Sequence, residues 1–250
     1  MADNEILQYP VLEVAIAGAP VEKRPAFFSL VTDRGAPSVL ARLSYPAGVT
    51  EGNAGESVTV SLVSGESTML LFTGEVYDAK VHGAYRDLAL TDGYKKLCDT
   101  LFNPAYRKEQ AQVIVEDALG AAGIGERKIT VPPVELARFS LISSPVKICL
   151  DLVIKALEEH GHHGLRYFFD AENVFRFGTL EDTAMNEGDA VSLETAKSVI
   201  RTGAGWVETL PVPVRHSQDI TVDGVPLKTI RTDLMVSRDR SRIRLWAEAV

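Results

Sequence analysis

Apolar and polar positions alternate with a period of two through the first ninety residues. Leu12, Val14 and Ile16 stand on one side of Glu13, Ala15 and Ala17, and Gly18-Ala19-Pro20 follows as a turn. Val58, Val60 and Leu62 alternate with Thr59 and Ser61, and Ser64-Gly65-Glu66-Ser67 leads into the run Met69–Val76. A four-residue polar link between two such runs predicts a hairpin. Tyr85–Thr91 completes the section. Several short strands with Gly-rich turns predict a small barrel or a sandwich.

The period changes at Asp92. Tyr94–Phe102 reads as a short helix, and Asn103-Pro104 has the chemistry of an N-cap and first helical residue for a second helix reaching about Ala122. Gly120 and Gly123 loosen its end. Lys128–Leu141 contains Pro132-Pro133 and is expected to be extended. After Ser144-Pro145, residues Cys149, Leu152, Val153, Ala156 and Leu157 recur at helical spacing and predict an amphipathic helix. That helix runs out at His160-Gly161-His162-His163-Gly164.

Strand patterns then return. Leu165–Asp170 and Val174–Gly178 flank a turn-rich link, and Asp223-Gly224 between Ile220–Val222 and Val225–Leu227 is the strongest hairpin signal in the chain. Leu193–Ile200 fits helix or strand equally. Ile230–Val236 and Arg240–Glu248 alternate around Ser237-Arg238-Asp239. In the last run Ile243, Leu245 and Ala247 face one way and Arg242, Arg244 and Trp246 the other. The order is therefore β-rich, helical, β-rich. The fold class expected is α+β, with domains over residues 1–91, 92–164 (mainly helical) and 165–250.

Composition narrows the function. The 250 residues are 46% apolar and 24% charged, ordinary for a folded chain, and long enough to bury a sizeable core. The most apolar stretch, Leu141–Leu157, is broken by Lys147, Asp151 and Lys155, so no membrane span is expected. Cys98 and Cys149 are too few for a disulfide framework, which suggests a reducing compartment during folding. The net charge of −8 argues against a grip on nucleic acid. Its distribution is uneven: residues 201–250 hold eight basic against six acidic side chains, net +2, which leaves −10 for the first 200.

Candidate chemistry is sparse. Glu158, Glu159, His160, His162 and His163 have ligand types suited to zinc or nickel, but they sit at a helix end in a Gly-rich loop, where histidine is favoured by the helix dipole alone. His82 and His216 are isolated. The pairs Asp170/Glu172 and Glu181/Asp182 are residue types that could serve a glycosidase as acid and nucleophile, but such neighbours are expected by chance among 34 acids, and the first pair lies in a turn. Ser64-Gly65 and Ser143-Ser144 lack a nucleophile-elbow pattern, and Cys149 falls on an apolar helix face. Gly120–Gly125 ends a helix instead of opening one, so it cannot aim amides at a phosphate. No catalytic, cofactor-binding or metal residue is assigned. Trp206 and Trp246 could serve a binding module or cover a sheet.

Three stretches in this order resemble the baseplate hub proteins of contractile phage tails, including late-control tail proteins and the N-terminal part of the type VI secretion spike. The first is Leu71-Phe72-Thr73-Gly74-Glu75-Val76 with Tyr85–Asp92. The second is Lys96-Leu97 leading to Gln112–Leu119 and Ala122-Gly123-Ile124. The third is Ser144-Pro145 with its helix, then Leu165–Asp170 and Val174-Phe175-Arg176-Phe177. The resemblance covers about residues 72–178; the departure from the spike proteins at Val250 leads to the expectation that a separate spike protein supplies the needle. The resemblance implies two small antiparallel β-barrel-like domains flanking a helical insertion, and a homotrimer forming a pseudo-sixfold ring. It implies a spike protein and tail-tube or baseplate proteins as partners, DNA that passes without being bound, no catalysis and no cofactor. The implied location is the virion tail, assembled in the bacterial cytoplasm. The competing expectation is a cell-wall polysaccharide or peptidoglycan hydrolase using Asp170 or Glu172.

Overall fold

The structure is a computed structural model, which describes residues 11–49, 52–64, 67–182, 185, 190–237 and 240–250. Six strands come from the N-terminal section: β1 (Val11–Ile16), β2 (Phe27–Asp33), β3 (Leu40–Pro46), β4 (Ser57–Ser64), β5 (Ser67–His82) and β6 (Tyr85–Thr91). Then follow α1 (Tyr94–Asp99), β7 (Ala105–Gln110), α2 (Ala111–Ala121), β8 (Arg127–Ile129), β9 (Glu135–Ser140) and α3 (Val146–Glu159). β10 (Arg166–Phe169) and β11 (Phe175–Gly178) form a hairpin. The chain ends with β12 (Val191–Leu193), β13 (Val199–Gly203), β14 (Trp206–Thr209), β15 (Asp219–Val222), β16 (Val225–Ser237) and β17 (Ser241–Ala249).

The α+β class holds, with β structure dominant. Strands from both ends of the chain join one thirteen-stranded sheet in the order β13-β14-β17-β16-β2-β3-β6-β5-β4-β1. The two-residue Ala19–Pro20 pairs beside β1, and β12 and β15 hang from β16. Its ladders are antiparallel except β12 with β15. The sheet is joined end to end at one seam. β2 lies antiparallel to β16, Leu30 opposite Leu234 and Phe28 opposite Val236. At that seam the buried Thr32 and Thr232 hydroxyls hydrogen-bond at 2.8 Å across 200 residues of chain. Alternation decides the sides: Phe28, Leu30 and Thr32 are buried while their neighbours face out.

Two hydrophobic cores result, and they share no residue. The first lies under the large sheet, with Phe28, Leu43, Tyr45, Val60, Phe72 and Leu245 nearly inaccessible. The second gathers Leu97, Ile114, Ala118, Leu150, Val153 and Leu157 from the helices. The β10–β11 hairpin contributes Tyr167, Phe169, Phe175 and Phe177 to this second core, and β8 pairs parallel to β11. The hairpin thus packs on the helices, although by strand pattern it opens the C-terminal section.

Some local expectations change. Residues 105–110 are strand, not helix: the polar run Tyr106–Gln110 has no apolar stripe for a helix to bury, and it pairs with β9. Helix α2 begins only at Ala111, whose amide donates to Val134 O at 2.9 Å. Pro145 is extended (φ −52°, ψ 142°) before α3, and Ser144 Oγ donates to Ile142 O instead of capping. On α3, Cys149, Val153 and Leu157 are buried as expected, but Leu150 replaces Leu152, which is 37% exposed. Val191–Leu193 and Val199–Gly203 are strands. The Asp223-Gly224 turn has φ of 50° and 80°, the two-residue geometry that matches strand twist. Gly65-Glu66 and Arg238-Asp239 lie outside the described residues.

Candidate functional site

The carboxylates and histidines that suggested chemistry do not converge. Asp170 is a structural hub of its hairpin: Oδ1 accepts the amides of Glu172 (3.0 Å) and Val174 (2.9 Å). Its Oδ2 accepts Arg176 Nε (2.8 Å) and Nη2 (2.7 Å). These bonds occupy both oxygens and hold the turn in which Asn173 adopts φ 64°. Glu172 is exposed. Asp182 packs against Gly178, where a Cβ would meet it at 3.1 Å, and Glu181 is exposed. His160 Nδ1 shares a hydrogen bond with Ala156 O at 2.8 Å, as a helix C-terminus favours. Among the described residues no three His, Cys, Asp or Glu side chains gather to hold a metal. Cys149 is buried, and burial pushes its thiol up to about 12, so it carries no thiolate at neutral pH. Gly120–Gly125 closes α2, with Ile124 N donating to Leu119 O.

What the fold does display is the outer face and edges of the large sheet. From β13 to the second half of β5, eight strands form a continuous antiparallel ribbon. Among the described residues, β13 at one end pairs only with β14, and Ile200 is 52% exposed. At the other end β5 pairs with β4 through Glu75 and with β6 beyond it, so among the described residues Tyr77–His82 has a neighbour on one side only. There Tyr77 and Val81 are exposed. A strand edge of this kind offers unpaired backbone donors and acceptors and must be covered or guarded. Local pattern located β1, β4, β6, β16 and β17 but not β2, β3, β7 or β14, nor the strand order, so both edges were missed.

The ribbon's outward face is densely and evenly charged. Register places Arg42, Lys80, Arg231, Arg242 and Arg244 on it with Asp33, Asp78, Asp87, Glu208 and Asp233. Glu208 is nearly inaccessible beneath Arg244 (2.9 Å) and Arg242 (3.6 Å). Trp206 and Trp246 sit opposite each other, with the Arg244 guanidinium 4.5 Å from the Trp206 ring centre and Arg231 5.3 Å from that of Trp246. The tryptophans therefore cover the sheet under arginines. The basic C-terminal strands are largely neutralised where they lie, by Glu208, by Asp33 against Arg231 (3.8 Å) and by Asp219 against Lys228 (2.7 Å).

The junction between the two units is polar. Asp92 follows β6 and accepts the amides of Tyr94 (3.0 Å) and Val39 (3.3 Å). Gly93 approaches the Phe169 ring so closely that a Cβ would lie 2.4 Å from it, and its amide donates to Asn173 Oδ1. Burial pushes the Asp92 carboxyl up to about 6. His216, packed edge-on against Phe168 at 4.3 Å, is held down to about 3 by burial and then by Arg215 and Arg34.

No protein-family model matches the sequence, and no curated protein does. Solved structures do match in fold. The 43 kDa tail protein of prophage MuSo2 from Shewanella oneidensis superposes with a TM-score of 0.71 at 10% identity, over 96% of this chain and 98% of that one. The tail protein of Neisseria meningitidis MC58 gives 0.69 at 10% identity, over 96% of each chain. The fold is that of phage tail proteins. It extends to the Escherichia coli c3393 protein, a component of the type VI secretion system described as similar to the T4 tail proteins gp27 and gp5. There the TM-score is 0.69 at 12% identity, over 95% of this chain and 76% of that one. At such identities the tail-protein fold is shared while side chains on the edges and outer face are this chain's own.

Proposed function

We propose that this chain is a structural hub protein of a phage tail or tail-like injection particle. Three copies close into a pseudo-sixfold ring that joins the tail tube to a central spike, and the chain catalyses nothing. The observation that carries the reading is the eight-stranded ribbon with, among the described residues, a free edge at each end, in a chain that shares a tail-protein fold over 96% of its length. Two different free edges on one surface favour head-to-tail contacts, and such contacts close into a ring when the rotation allows. Within each copy, residues 1–91 and 165–250 act as the two ring-forming parts and 92–164 as the helical insertion. The outward sheet face, with as many anions as cations, has no excess positive charge with which to retain passing DNA. The ring would be assembled in the bacterial cytoplasm and reside in the baseplate of the virion.

Native mass spectrometry of the full chain tests this directly. The expected species has about 82 kDa, three times the 27.2 kDa of one copy. A species of one chain at micromolar concentration, persisting with an added spike protein, would sink the ring.

A further inference from the structure

Arg215 is half-buried, and its guanidinium is poorly satisfied by the fold. Its guanidinium carries five N–H donors, yet its one side-chain bond runs from Nη1 to Phe169 O at 3.1 Å. Its Nε is out of contact with solvent and has no hydrogen-bond partner. Among the described residues no carboxylate forms an ion pair with it. Asp92 and Asp170 act on it only at a distance, and both are committed elsewhere, Asp92 to two amides and Asp170 to Arg176 and its turn. A partly desolvated cation without an ion-pair partner is costly, and folds keep one where something else completes it. Burial brings Arg215 down to about 10, the direction such isolation produces.

Arg215 borders a cavity of about 440 Å³ between the large sheet and the helical unit. That volume is within the range of ligand sites. One wall is apolar, built from Leu30, Leu71, Leu234 and Phe168. Lys128 and Arg176 also line it, and among the described residues its acids are Asp170, already bonded to Arg176, and Glu172. The adjacent His216 is neutral above about pH 3 and adds no charge.

We propose that this cavity binds a carboxylate carried on an apolar stem, with Arg215 as the residue that recognises the carboxylate. The planar guanidinium fork matches a carboxylate in two parallel bonds, and the stem lies along the leucines and Phe168. The apolar wall beside the guanidinium disfavours the wider hydration shell of a dianionic phosphate, so the singly charged group is the better fit. The site does not depend on the tail reading.

Calorimetric titration of the full chain with hexanoate and with hexanamide tests it. A peptide pair, acetyl-Leu-Val-Glu-amide and its Gln counterpart, shows whether the carboxylate comes from a free acid or a protein segment. Each acid is expected to bind at least about tenfold more tightly than its neutral counterpart. Arg215→Met should erase that preference and melt no lower than the parent, because an apolar chain replaces an unpaired charge. Should Arg215→Met fail to fold, Arg215 is structural and the site is refuted unless Arg215→Gln folds and loses the acid preference. Equal binding of acid and amide, acid binding undiminished by either substitution, or no acid binding overturns the proposal.

Discussion

The two cores of this molecule solve the burial problem in opposite ways. The helical unit closes on itself: α2, α3 and the aromatic hairpin surround their shared core on the sides that carry apolar residues. The large sheet buries most of one face but, among the described residues, ends in free edges at β13 and at Tyr77–His82. A helix satisfies its backbone internally, whereas a strand needs a neighbour on each side. The difference teaches where association belongs: on the edges of the sheet, not on the helical unit. Between the units lies a polar junction instead of a shared core, so the two can lose stability separately.

Truncations inside the cores should separate the units most sharply. Phe177→Ala removes a fully buried ring from the helical unit and should cost about 3–5 kcal/mol. Hydrogen exchange should then accelerate in α2, α3 and the hairpin while amides of the β2–β16 seam keep most of their protection. Equal loss in both units would show that the cores are one cooperative body.

Acidification probes the junction. Asp92 takes up its proton near pH 6 when folded but near its ordinary 3.8 when unfolded, so its contribution is fully present below 3.8 and lost as pH rises through 6. His216 runs the other way: the unfolded histidine protonates near 6.5 and the folded one near 3, so stability is lost as pH falls between those values. Between pH 6 and 4 the two largely offset. In Asp92→Asn the offset disappears, and urea-measured stability should fall more steeply than in the parent by up to about 1.4 kcal/mol per pH unit. Parallel profiles would remove Asp92 from the balance.

The smallest effect on stability should accompany the largest on assembly. Ile200→Lys on the exposed edge of β13 should change monomer stability by less than about 0.5 kcal/mol. Yet it should reduce the native mass to one chain of 27.2 kDa. An intact oligomer would move the contact away from this edge.

Much of the fold was legible because local chemistry was sufficient. The alternation in Leu12–Ile16 and Ile243–Ala247, the Asp223-Gly224 turn and the glycine end of α2 each matched one element. Tyr106–Gln110 was misread because a polar run carries no period, and its state was decided by β9, more than twenty residues away in sequence. The sites were less legible. Asp170 has the residue type of a catalytic acid, and only its four hydrogen bonds reveal a turn. Arg215 gave no signal at all, since being unpaired is a property of what surrounds it.

The sequence by itself determined the sides and kinds of many elements: which residues of β1, β4 and β17 turn inward, where helices α2 and α3 stop, and that no dedicated catalytic motif stands in the chain. These follow from periodicity and turn chemistry, which act over a few residues. Tertiary structure alone decided the seam that pairs Thr32 with Thr232, the edges it leaves open, and the cavity beside Arg215. Those features depend on contacts between residues as much as 200 positions apart, and no local pattern records which distant strand becomes a neighbour.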